Sequence, residues 1–225
     1  TLRNDLGESQ TIIVENHDDV VFTPPTQIVM TYGQSLAVGV TRKEGQAVLS
    51  GTALYPETAL ELGFTSLQLV QQTAETFTGL VAMTETQTET VGSAMINRLI
   101  AEYELNGYLS PTFIHTSTAF GGRSILELMT SSSDVYSTLD AGIAATATGA
   151  HFVVLNDDGQ FEHYIDEGDT AYHTKTSKAS ASDTYFDTFA EHLDLAVTAA
   201  LERGDHVNQQ VVLNWIQGQA DGALS

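Results

Sequence analysis

Three short blocks of this chain bring together the parts that acyl transfer to water requires: a hydroxyl nucleophile, backbone donors free of side chains, and a side-chain amide. The first is Tyr32-Gly33-Gln34-Ser35-Leu36-Ala37. A serine just behind a glycine, at the end of an apolar run, can project its hydroxyl from a tight turn toward a carbonyl carbon. The second is Phe120-Gly121-Gly122-Arg123-Ser124-Ile125. Its two glycines let backbone N–H groups approach a ligand with no Cβ in the way. The third is Trp215-Ile216-Gln217-Gly218-Gln219-Ala220-Asp221, where Gln217 offers a carboxamide. Singly, each has a plain alternative: a turn, a helix opening, a loop dipeptide. Their order, each behind an apolar run of strand length, is more specific.

The elements that must position them follow from periodicity. Gln27 to Tyr32 is an apolar run that stops at Gly33, and Gly45 to Gln72 reads as an irregular excursion with short elements. From Gly92, Met95, Leu99, Ile100 and Tyr103 fall at helical spacing, with Asn106-Gly107 as a stop; Thr112 to His115 then predicts a strand. A helix is predicted from about Asp134, its cap, to Gly149, with Val135, Leu139, Ile143 and Ala147 on one face. His151 to Leu155 and Phe161 to Ile165 predict a hairpin around Asn156-Asp157-Asp158-Gly159, because Asp-Gly tolerates the positive φ of tight turns. Residues 166–182 read as polar turns. Asp183 then caps a helix whose stripe is Phe186, Phe189, Leu193, Val197 and Leu201, and Val207 to Ile216 is the last strand. Alternating strands and helices predict a mostly parallel sheet covered on both faces, in which ligands sit beyond the carboxyl ends of the strands. Residues 1–25 read as an extended arm that packs on a neighbour; its β-type runs Thr11 to Val14 and Val20 to Thr23 flank a polar turn, and Pro24-Pro25 closes it. Residues 26–225 form the domain.

The three blocks resemble those of the SGNH (GDSL-type) hydrolase superfamily, in particular its sialate O-acetylesterase-like branch and the related domains of phage tail proteins. There the blocks read Gly-Gln-Ser, Gly-Gly followed by a small polar residue and Ile, and Trp-x-Gln-Gly-Glu-x-Asp. Thr86-Gln87-Thr88-Glu89-Thr90 and the series Gly122-Arg123-Ser124-Ile125, Leu128, Tyr136 and Ile143 to Gly149 are similar to the phage-type domains, so the resemblance covers about residues 27–221. It implies a three-layer α/β/α fold with a flavodoxin-like sheet and a short antiparallel hairpin insertion. It also implies a serine esterase acting on ester-bearing surface carbohydrate. Ser35 would be the nucleophile, and the oxyanion would be held by the N–H groups of Ser35 and Gly122 and by the Gln217 amide, each donor being worth ~10²–10³ in rate. Gln34, Gly121, Gly218, Gln219 and Asp221 would line and support the site. No cofactor or metal is implied. The setting implied is a virion or extracellular one, in a homo-oligomer or larger assembly.

The family's Asp-x-x-His pair, which supplies the general base and the carboxylate that orients it, has no counterpart here, and Gln219 stands where the family has Glu. Losing a nucleophile or its base costs on the order of 10⁶ in kcat, about 8 kcal/mol. The expectation is therefore of a polypeptide whose C-terminal part of the fold lies beyond Ser225 or in a partner. The alternative is an inactive structural or receptor-binding module with the same fold. An unrelated flavodoxin-like domain would make the three blocks a coincidence.

Composition narrows the partners. Eight Lys plus Arg against 29 Asp plus Glu leave a net charge of −21, which repels nucleic acid and anionic membrane surfaces. The same excess suits a chain that stays hydrated at high salt, or simply one kept soluble by self-repulsion. With no cysteine, disulfides and thiolate chemistry are excluded, and no apolar run reaches the roughly 18 residues of a membrane span. His163 and His173 lie among Asp157, Asp158, Asp166, Glu167 and Asp169, where a hard cation could bind, but without a recognisable loop spacing the expectation is a solvated insertion. His115 is expected to be buried for structural reasons.

Overall fold

The computed structural model describes residues 2–3, 9–10, 23–33, 40–41, 52–65, 72–84, 88–89, 91–120, 125–177 and 184–216. In chain order the elements are β1 (Leu2–Arg3), β2 (Ser9–Gln10), β3 (Gln27–Gly33), β4 (Val40–Thr41), β5 (Ala59–Phe64), β6 (Phe77–Ala82), β7 (Thr88–Glu89), α1 (Val91–Leu105), β8 (Phe113–Ala119), α2 (Ile125–Met129), β9 (Val135–Tyr136), α3 (Leu139–Ala145), β10 (His151–Leu155), β11 (Phe161–Asp166), β12 (Ala171–Thr176), α4 (Tyr185–Glu202) and β13 (Val212–Ile216). The fold is mixed α/β, with two main sheets.

The larger sheet has the order β13-β3-β8-β5-β6. Its first four strands are parallel and β6 runs antiparallel to β5. The interior strand β3 is largely apolar and buried, the pattern of a strand covered on both sides. Ile28 and Met30 join Leu60, Ile114, Ala196 and Ala200 in one cluster, which places α4 on that face. Val29 joins Phe113, Ile96 and Ile100 in another, which places α1 on the opposite face, because successive strand residues point to opposite sides. Each fully buried aliphatic side chain here contributes roughly 1.5–3 kcal/mol.

Both helices are rotated from the stripes their spacing predicts. In α4 the buried residues are Tyr185, His192, Ala196, Ala199 and Ala200, while Phe186 and Leu201 are exposed. The alanines let the helix approach the sheet closely, and His192 finds partners beneath it; Phe189, Leu193 and Val197 pack at the margin. In α1, Gly92, Ser93, Ile96 and Ile100 face inward and Leu99 is exposed. A Cβ on Gly92 would stand 2.0 Å from His115 Nε2, so only glycine admits this approach.

The expected hairpin insertion is instead a separate four-stranded sheet, β12-β11-β10-β9. The β10–β11 hairpin forms as predicted, with Gly159 at φ +73° and the Asn156 side-chain oxygen accepting from the N–H groups of Asp158 and Gln160. The polar stretch after it holds β12, antiparallel to β11, which polarity alone concealed because an edge strand can keep polar side chains on both faces. The helix predicted from Asp134 is shorter. Asp134 accepts from Ser131 N–H at 3.1 Å and closes a 3-10 turn, β9 follows, and Thr138 caps α3 by accepting from Ala141 N–H. Residues predicted as irregular supply β5, and the last strand is confined to Val212–Ile216. The predicted cap Asp183 lies outside the described residues.

Candidate functional site

Three neighbouring strands end together. Ile216 of β13, Gly33 of β3 and Ala119 of β8 are in register across the parallel sheet, so the carboxyl ends lie side by side. With neighbouring strands about 4.8 Å apart, the row is about 10 Å wide. Gly33 takes φ +145°, and a Cβ there would stand 2.0 Å from the Ile216 carbonyl oxygen; the sequence needs glycine here for both conformation and space. Phe120 N–H donates to Gly33 O at 2.9 Å and continues the pairing of β3 with β8 past Ala119.

Beneath this edge the packing is aromatic. Tyr32 lies 4.9 Å from Phe189 and 5.2 Å from Trp215, centroid to centroid, and Phe120 lies 4.1 Å from Tyr185. The Tyr32 hydroxyl donates to the Leu128 carbonyl and ties α2 to β3. Burial above all, then Tyr185 and Asp187, pushes its pKa up, so it serves as a donor and not as a base. Two buried polar atoms close to the carboxyl ends, Thr118 Oγ1 and Asn214 Nδ2, have no hydrogen-bond partner among the described residues.

The histidines divide into satisfied core groups and one coupled pair. His115 Nε2 is 2.9 Å from Thr31 Oγ1, and burial pushes its pKa down to about 4, so it is neutral and structural as expected. His192 Nε2 faces the Gln72 carbonyl at 2.9 Å and therefore donates; Nδ1 then accepts from the Thr116 hydroxyl. Burial lowers its pKa as well. His163, expected in a solvated stretch, is fully buried. Its Nδ1 is 2.9 Å from His151 Nε2, and burial first, then His151, pushes it down to about 4. Beside it Lys175 pairs with the buried Glu127 at 2.7 Å. Asp166 is used within the fold, accepting from Thr146 Oγ1 and Gly168 N–H. Among the described residues no group of three His, Cys, Asp or Glu could hold a metal ion.

Gln34, Ser35, Gly121, Gly122, Gln217, Gly218, Gln219 and Asp221 lie outside the described residues. The strands from which they follow are brought together at one edge. The Tyr32–Leu128, Glu127–Lys175 and His151–His163 contacts escaped the sequence reading, since nothing local signals a partner 12 to 96 residues away. Comparison with models of known protein families, with curated proteins and with solved structures finds no match. Among the described residues no helix is long and apolar enough to cross a membrane.

Proposed function

We propose that the chain is a three-layer α/β/α domain of the SGNH type and carries a serine esterase site for ester-bearing surface carbohydrate. Ser35 is its nucleophile, the N–H groups of Ser35 and Gly122 with the Gln217 amide are its oxyanion donors, and a virion or extracellular assembly is its setting. One observation carries the reading. Ser35, Gly122 and Gln217 follow Gly33, Ala119 and Ile216 in the sequence by two, three and one residues, and those three strand ends are aligned at one sheet edge. Convergence at a single carboxyl edge is what such a site requires.

The test is hydrolysis of 4-nitrophenyl acetate by the 225-residue chain and by Ser35→Ala. With no Asp-x-x-His pair in the sequence, the expected turnover is slow; it disappears in Ser35→Ala while circular dichroism is unchanged. Equal rates in the two proteins overturn the reading. The absent Asp-x-x-His pair and Gln219 in the place of Glu favour a second reading, a carbohydrate-binding module on the same fold. Under it neither protein hydrolyses the ester, and acetylated glycan still binds.

A further inference from the structure

We propose that the stacked His151–His163 pair is a proton-operated latch: it keeps β12 closed on α2 while both rings are neutral, and it lets β12 open when the pair takes up a proton. The two histidines share one face of the small sheet with Val153 and Phe161, because His163 lies opposite Val153 and Phe161 opposite Leu155. Their ring planes are within 19° of parallel, the centroids are 5.2 Å apart, and His151 Nε2 is 2.9 Å from His163 Nδ1. Lys175, opposite His163 on β12, pairs with Glu127 of α2 at 2.7 Å. His163 is fully buried and Glu127 nearly so, which makes this contact between β12 and α2 an interior one. Among the described residues β12 is the edge strand of its sheet and has no buried residue of its own, so it can leave without unmaking a core.

One proton fits between the two rings, and the surroundings decide which ring supplies it. His163 Nε2 is buried and has no hydrogen-bond partner among the described residues. If Nδ1 accepted from His151, the proton of neutral His163 would sit on Nε2 as a buried N–H with no acceptor, and orphaned donors are the rarer exception in native structures. His163 therefore donates through Nδ1–H to His151 Nε2, and its Nε2 keeps a bare lone pair. Both places for a further proton are then unfavourable. At His151 Nε2 it would meet Nδ1–H across 2.9 Å, and at His163 Nε2 it would make a buried cation with no acceptor. The facing charges do not relieve this, because Glu127 is already paired with Lys175. Burial above all, then His151, opposes a proton on His163; Glu127 favours one, and Lys175 and His173 oppose it. At His151 burial opposes a proton, while Asp134, in the turn ahead of β9, favours one. Opening β12 from α2 brings water to the pair and restores its ordinary affinity for protons. Acid therefore drives the opening by mass action, and the closed form loses its advantage as the pH falls below about 6.5.

Peptide-resolved amide hydrogen exchange of the 225-residue chain at pH 7.5 and 4.5, corrected for the intrinsic pH dependence of exchange, tests the latch. The expected result is a fall of about tenfold or more in the protection of β12 at pH 4.5, while β3 and β8 keep theirs. In His163→Gln the selective fall disappears. Far-UV circular dichroism checks folding; if His163→Gln does not fold, His151→Gln at the half-buried partner carries the test, and there the fall shrinks by about threefold or more. Undiminished protection of β12 in the parent at pH 4.5 overturns the proposal. Equal losses in β12, β3 and β8 overturn it as well, since the whole chain would then be unfolding. A fall of the parent's size in the folded variants also overturns it, because loss of the Glu127 charge would then be the cause.

Discussion

Gly33 and Ile216 face each other in register on β3 and β13, and a Cβ on Gly33 would sit 2.0 Å from the Ile216 carbonyl oxygen. Gly33→Ala must either push the strands apart or leave the φ of +145° that this residue adopts. A strained backbone costs about 1–3 kcal/mol before the clash is counted, so a loss of about 3 kcal/mol or more is expected. Urea unfolding followed by Trp215 emission measures it. A midpoint unchanged from the parent would contradict the close approach of β13.

Tyr32→Phe removes the donor from the Leu128 carbonyl while keeping the ring against Phe189 and Trp215. An unsatisfied buried acceptor costs about 1–3 kcal/mol. Because α2 directly follows the Gly121-Gly122 block, the same variant should lower ester turnover more than it changes KM if Gly122 is an oxyanion donor. Turnover is referred to the folded fraction measured by circular dichroism; a kcat that returns to the parent value after that correction would show loss of folded protein and no positioning effect.

Lys175 neutralises a carboxylate, Glu127, that is 3% exposed. Lys175→Met should destabilise by about 2–3 kcal/mol, somewhat less than for a fully buried pair because Lys175 retains some exposure. Adding Glu127→Gln should restore much of the loss. Denaturant midpoints of the two single variants and the double variant give the coupling, and strict additivity would count against the ion pair.

Acid should destabilise through the buried histidines. His115 and His163 are held near pKa 4 in the folded chain, below their ordinary value of 6.5, so the unfolded chain binds their protons first. Their contribution is complete above about pH 6.5 and is lost as the pH falls toward 4, on the order of 3 kcal/mol for each group. Stability measured between pH 7.5 and 4.5 should fall less steeply in His163→Gln than in the parent. Parallel profiles would show that His163 already titrates normally in the folded state.

The features legible in the sequence are those written within a few consecutive residues. The largely apolar run of β3 announced a strand, and Asn156-Asp157-Asp158-Gly159 announced its turn, because turn chemistry and side-chain periodicity are local. The three motif blocks were legible in the same way. Parallel pairing was legible too, but only for the larger sheet, where three of the four pairings are parallel and the fourth, β5 with β6, is antiparallel. Tertiary structure alone decided which strands are neighbours. Residues 33, 119 and 216 are far apart along the chain, and only the order β13-β3-β8 lays their strand ends in one row. It also chose the helix faces. α4 carries two apolar stripes, and the one turned inward is the one whose alanines fit the sheet and whose His192 meets Thr116 and Gln72, the latter 120 residues away. Periodicity counts apolar residues but carries no record of the surface they will meet. The choice between two stripes rests on close packing and on hydrogen-bond partners that exist only once distant segments are side by side.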